Sequence, residues 1–128
     1  GRDMTTPLGR VRGLGSAKTG TRDYVHKQVS GLLLALLTPW TVGILFYLIG
    51  MPRSFVVASL QSLWIGPPVL AFVLISLHHM RLGMQVIIED YIHSETGKTV
   101  LVVLNWIFCA GLALVSTFAF ARILFERV

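Results

Sequence analysis

Polar and apolar positions divide the chain into a polar start and three long apolar runs. Residues 1–28 are polar, Gly-rich and basic, with Arg2, Arg10, Arg12, Lys18, Arg22 and Lys27 set against Asp3 and Asp23. Gly9, Gly13, Gly15 and Gly20 favour an extended arm over its first part, and Thr21-Arg22-Asp23 is a candidate helix cap. Residues 29–50 then run without a charge, about the length needed to cross roughly 30 Å of hydrocarbon. Pro39 predicts a kink within this run, which a lipid-embedded helix tolerates when neighbours satisfy the freed carbonyl. Trp40 and Tyr47 are amphipathic, and Tyr47 suits an interface anchor. Over Met51 to Leu63, Phe55, Val56, Leu60 and Leu63 recur at helical spacing among Ser59, Gln61 and Ser62, the pattern of a short helix lying on the membrane surface. Gly66-Pro67-Pro68 opens a second run over 67–90, where proline suits a first helical turn. His93 to Lys98 form a polar turn, and a third run covers 99–121 before Arg122, Glu126 and Arg127.

The expected fold is therefore all-α. It is an integral membrane three-helix bundle (29–128) with a polar N-terminal arm (1–28) and a short interfacial helix. Composition agrees: 54% of the 128 residues are hydrophobic and 13% charged, against about 25% charged in soluble domains. Orientation follows from the basic residues. Six precede the first span, one (Arg53) lies in the first connection, one (Lys98) in the second and two follow the third. The positive-inside rule then puts the N-terminus in the cytoplasm, or in the matrix of a mitochondrion, and three spans put the C-terminus opposite. The basic, polar start does not read as a cleavable signal. Cys109, alone within an apolar run, reads as a small buried or lipid-facing side chain. The N-terminal arm has too few apolar residues to form a core and is expected to order only against a partner, along the membrane-facing side of a soluble subunit; no nucleic-acid partner is expected.

The candidate chemistry lies in the second span, which carries His78, His79 and Arg81 and ends in Glu89-Asp90-Tyr91. Ionisable groups in lipid are costly unless partnered, so each is a functional candidate. At about 100° per residue, Gly83 falls roughly 40° and Asp90 roughly 20° from His79, so the three share a face. His79 and Asp90 are separated by roughly 16 Å along the axis. An imidazole one turn from a residue without a side chain lets a flat, bulky group lie against the helix, as an axially ligated haem requires. A helical histidine also serves as a hydrogen-bonding partner for a neighbouring helix, and spacing alone leaves both roles open. His78 points about 100° away and reads as a packing or lipid-edge residue. Arg81 points about 160° from His79 and needs a carboxylate, a headgroup or an adjoining subunit. The chain has no nucleophile paired with a base, no nucleotide loop and no metal-ligand cluster, so it does not read as an enzyme on its own.

His79-Met80-Arg81-Leu82-Gly83 followed by Glu89-Asp90-Tyr91 fits H-x-x-x-G-x6-D-Y. This resembles the smaller cytochrome b membrane-anchor subunit (the D subunit) of succinate dehydrogenase, respiratory complex II. Leu14-Gly15-Ser16-Ala17-Lys18 and Gly20 resemble the arm of alphaproteobacterial members, and Asp90-Tyr91-Ile92-His93 resembles the D-Y-V-H of mitochondrial and related bacterial forms. The specific part covers about fifteen residues; the layout covers nearly the whole chain. The resemblance implies that His79 is one axial ligand of haem b, shared with a second cytochrome b anchor subunit. It implies that Gly83 makes room for the haem, that Tyr91 donates to a ubiquinone carbonyl, and that Asp90 orients an Arg of the partner and helps deliver protons. It further implies an iron–sulfur subunit completing the quinone site, a flavoprotein subunit holding the succinate chemistry, and a bacterial cytoplasmic or mitochondrial inner membrane. Where some bacterial members carry Arg, this chain has Gln28 beside Lys27. Where several have an aromatic or His, it has Arg81, to which no family role is carried. The alternatives are a cofactor-free membrane scaffold and a small transporter or channel subunit.

Overall fold

The computed structural model of the chain describes the backbone of residues 15–127 and the side chains of residues 21–127. Four helices follow one another: α1 (Gly15–Leu48), α2 (Arg53–Leu60), α3 (Gly66–Tyr91) and α4 (Glu95–Leu124). Among the described residues there is no strand, and three helices are long and apolar enough to cross a membrane. The all-α three-helix arrangement with a short connecting helix is thus the observed one.

α1 begins earlier than the Thr21-Arg22-Asp23 cap predicts, and the extended reading is corrected over residues 15–20. Its 34 residues extend about 51 Å, well beyond the hydrocarbon thickness. The reason is cooperative. Once the apolar span is helical, each added residue costs no new nucleus. Ala17, Lys18, Arg22 and Lys27 are good helix formers, enough to offset about 1 kcal/mol each for Gly15 and Gly20. Residues 1–14, the rest of the predicted arm, lie outside the described residues. α1 also runs unbroken through Pro39, where a kink was expected. Proline removes the donor to the Ala35 carbonyl, and in the same turn the Thr38 hydroxyl donates to Leu34 O at 2.5 Å.

α1 ends at Leu48, and Gly50 in the turn that follows has a φ of +77°, where other residues would be strained. α2 then lies across the end of the bundle. Its Val57 is buried, and Phe55 meets Tyr47 with ring centroids 5.4 Å apart. Arg53 forms a two-pronged ion pair with Glu126, whose second prong, Nη2 to Oε2, measures 2.8 Å. Gln61 Nε2 donates to Ile123 O (2.9 Å) and Glu126 O (2.7 Å), satisfying carbonyls that the end of α4 leaves open. α4 starts four residues before the predicted Thr99. Ser94 Oγ accepts from Gly97 N at 3.1 Å, and Glu95 sits where the helix dipole favours negative charge.

α3 is the central helix, packed along both α1 and α4, which have no comparable packing on each other. The interior this creates is small: Ile44, Val57, Leu82, Ile88 and Cys109, with the polar Ser30 and Arg81. Large apolar side chains such as Leu36, Phe46, Leu114, Val115 and Phe118 stay exposed. Contiguous apolar exposure on this scale is met by lipid and partner chains, not water. Cys109 is buried as expected, its thiol 3.7 Å from Asn105 Oδ1.

Candidate functional site

Looking along α3, three faces have different neighbours. Toward α1 lie Leu82, Gln85, Val86 and Glu89, which with Asp23, Tyr24 and Lys27 line a partly polar groove of about 240 Å³. Toward α4 lie Arg81 and Ile88, both buried. The third face carries Gly83, Asp90, Met80 and Ile87. Met80, Ile87 and Asp90 are exposed, and a Cβ on Gly83 would meet no atom within 4 Å.

His79 sits where this open face meets α1. Its Nδ1 is 2.8 Å from Ser30 Oγ, and Ser30 Oγ donates to Lys27 O at 3.0 Å. Ser30 is buried, 4% exposed. The imidazole lies beside Gly31, where a Cβ would stand 3.5 Å from His79 Cε1. Nε2 has no hydrogen-bond partner among the described residues. A ring held by one nitrogen, with the other unpartnered among the described residues and a glycine one turn along the same stripe, is a donor that could hold a haem.

Asp90 shares this open face and makes no hydrogen bond or ion pair among the described residues. Tyr91 does not. It lies around the helix toward α4, 74% exposed, where it joins Met84, Ile87, Ile88, Leu104 and Phe108 in an apolar groove of about 390 Å³. The structure therefore gathers His79, Gly83 and Asp90 along one stripe, and puts Tyr91 at its edge above a separate apolar groove.

The neighbouring cations have other partners. His78 Nε2 lies 3.4 Å from His26 Nδ1, with the rings edge-on at 5.5 Å, beside a groove of about 370 Å³ lined by Val29, Leu33, Leu74 and Ile75. The His78 ring thus packs against α1 at the border of that groove. Arg81, left open by the sequence among three classes of partner, stacks on Trp106 with Cζ 3.8 Å from the ring centroid. Its Nη1 reaches Gln85 Oε1 at 3.4 Å, and Gln85 Nε2 donates to Glu89 Oε1 at 3.1 Å. Asn105 Nδ2 donates to the Arg81 carbonyl at 3.0 Å, tying α4 to the same turn. Among the described residues no three His, Cys, Asp or Glu converge into a metal centre.

Sequence reasoning missed Ser30, His26 and Trp106. For the first two a signal was present: His26 and Ser30 are four apart and share a face of the helix that the Thr21-Arg22-Asp23 cap opens.

A model of the succinate dehydrogenase/fumarate reductase transmembrane subunit matches residues 2–118. A succinate dehydrogenase hydrophobic membrane anchor subunit of Rickettsia conorii is 32% identical over 128 residues, covering 98% of this chain and 97% of its own. Proteins of the same description from Rickettsia typhi (27% over 84% of this chain and 86% of its own) and Paracoccus denitrificans (27% over 91% and 90%) are also similar. No solved structure matches. The family model takes in most of the chain, including the His79–Tyr91 stretch and all three spans but the end of α4, and the chain belongs to the family of succinate dehydrogenase/fumarate reductase transmembrane subunits.

Proposed function

We propose that this chain anchors a succinate:quinone oxidoreductase in the membrane and contributes His79 to haem b and Tyr91 and Asp90 to a ubiquinone site. The observation that supports it best is the unpartnered stripe on α3. His79 has a free Nε2, Gly83 opens onto empty space, and Asp90 is unpaired among the described residues. An imidazole nitrogen left unsatisfied within an apolar span is costly, so a chain folding alone has no reason to leave it so; Asp90 lies at the aqueous edge and adds its place on the same stripe. A second anchor subunit covering this face would supply the reason, and a histidine of its own would hold the haem together with His79.

When bound, haem b supplies a one-electron relay. The chain's part is to present Nε2 of His79 as a lone-pair donor and to keep the wall at Gly83 flat. The groove beneath Tyr91 is apolar and suits an apolar ring and tail, and the phenol is a neutral donor that can be held near the lipid boundary at little desolvation cost. As negative charge builds on a quinone carbonyl oxygen, the Tyr91 hydroxyl strengthens its hydrogen bond, which stabilises the reduced side of the reaction. Asp90, on the adjacent face, orients a cation of the partner and passes protons from the aqueous edge. Electrons arrive from the flavoprotein and iron–sulfur subunits, which dock on the cytoplasmic or matrix side with the basic arm.

The test is Tyr91→Phe in membranes, assayed by succinate-driven quinone reduction normalised to haem. Assembly and haem content are expected to hold while the rate falls about tenfold or more, equivalent to about 1.4 kcal/mol. A wild-type rate would leave Tyr91 as an interface anchor only.

A further inference from the structure

We infer that Ser30 is a positioning residue that fixes His79 as the Nδ1–H tautomer and so commits Nε2 to the iron. The inference rests on the haem reading above and deepens it. It follows from counting protons. The Ser30 hydroxyl has one hydrogen and is 3.0 Å from the Lys27 carbonyl oxygen, which can only accept. The back-bond usual for a helical serine gives that proton to Lys27 O and leaves the Oγ lone pairs facing Nδ1. The contact between Ser30 Oγ and His79 Nδ1, at 2.8 Å, then has one possible donor, the imidazole. A neutral imidazole carries one N–H, so Nε2 holds the lone pair.

The surroundings keep this arrangement. Ser30 is 4% exposed, so water does not compete for its oxygen. Gly31, the next residue, lets the ring lie against α1 with Cε1 in ordinary contact distance of where a Cβ would stand. α1 thus serves as the outer support of a ligand carried by α3. A hydrogen bond from the far nitrogen of a ligating imidazole raises its basicity and stabilises the more oxidised metal.

The experiment compares Ser30→Ala, Ser30→Thr and His79→Ala in the assembled complex purified from membranes. The readouts are the haem midpoint potential, the low-spin EPR g values and haem loss to a scavenging apoprotein. Ser30→Ala is expected to raise the midpoint by about fivefold in oxidised-to-reduced ratio, ~41 mV at about 59 mV per decade for one electron. It is also expected to weaken haem retention about tenfold. Ser30→Thr keeps the hydroxyl and is expected to match wild type. Wild-type potential and g values in Ser30→Ala, with His79→Ala losing its haem signal, would overturn the role of Ser30 and leave the ligation reading standing. A shift in Ser30→Thr equal to that in Ser30→Ala would also overturn it, because the hydroxyl would not be the operative group. An unchanged haem in His79→Ala would overturn the ligation reading, and this inference with it. If Ser30→Ala does not assemble, Ser30→Cys decides. Its weakly accepting thiol is expected to give part of the shift, and no shift would count against the hydroxyl.

Discussion

Gly66 and Gly83 stand on the same helix in opposite surroundings. A Cβ on Gly66 would overlap the Leu60 carbonyl oxygen and come within 3.0 Å of Phe120 Cζ, so only glycine lets α3 start beneath the end of α2. A Cβ on Gly83 would meet nothing within 4 Å. Gly66→Ala is therefore expected to destabilise the isolated chain in detergent by about 1–3 kcal/mol, because the obstacle is backbone and cannot rotate away. Gly83→Leu is expected to leave that stability unchanged and to lower the haem-to-protein ratio of the assembled complex. Unfolding curves and haem titration of the two variants check this; equal destabilisation by both would remove the case for an occupied face at Gly83. The two positions also mark what can be read from residues alone. Gly83 was legible because its meaning depends on one helix, through its angle to His79. Gly66 and Ser30 were not, because each acts on another helix: Gly66 on α2 and α4, Ser30 on a side chain 49 positions away.

The elements were legible where hydrophobicity sets them and less so where propagation and capping do. The three spans, α2 and the proline-led start of α3 follow from apolar periodicity. The early start of α1 and the Ser94 cap depend on hydrogen bonds that a hydropathy pattern does not record. Nor does it record the clasp between α2 and the end of α4. Arg53 donates to Glu126 and holds its carboxyl below the usual carboxylate value, and the same bond pushes Arg53 further above its own. Because the Glu126 value is depressed, its contribution is present above the unfolded carboxylate value and is lost as pH falls through the folded one. Because the Arg53 value is raised, its contribution is lost only in strong alkali, so the clasp weakens on the acid side alone. Both groups lie near water, so the effect is small and screened by salt. Amide protection over residues 53–60 in lipid nanodiscs, taken relative to the intrinsic exchange rate at each pH, is expected to fall as pH drops below the ordinary carboxylate range. In Glu126→Gln it is expected to be already lowered and flat with pH. The Gln61 bonds to Ile123 O and Glu126 O do not titrate and should keep α2 docked in both proteins. Identical pH profiles for the two proteins would show that the ion pair does not hold α2.

At the scale of the whole molecule, the chain has more apolar surface than its own interior can take, and its orientation in lipid decides which groups meet which partners. Three helices cross, so the ends must lie on opposite sides. Three groups of charge indicate which side is which. Arg22 and Lys27 early in α1 and Lys98 in the α3–α4 turn fall together at one end of the bundle, and the other four basic residues of the N-terminal stretch precede them in the sequence. Arg53, Arg122 and Arg127 fall at the other, where Arg53 is paired with Glu126. Seven basic residues against three, one of the three neutralised by an ion pair, give a clear bias under the positive-inside rule. The same end holds Asp90, Tyr91 and the polar groove formed by Asp23, Lys27 and Glu89. Soluble subunits that deliver electrons to a quinone must meet the bundle there for the proposed function to hold. Reporter fusions at Gly1 and Val128 are expected to read cytoplasmic and periplasmic respectively in a bacterial host, and an accessible-cysteine scan should label position 96 from the cytoplasmic side. A reversed reading would put Tyr91 and Asp90 on the face away from the electron source and sink the quinone assignment while leaving the three spans intact. Both ends on one side would sink the three-span topology itself.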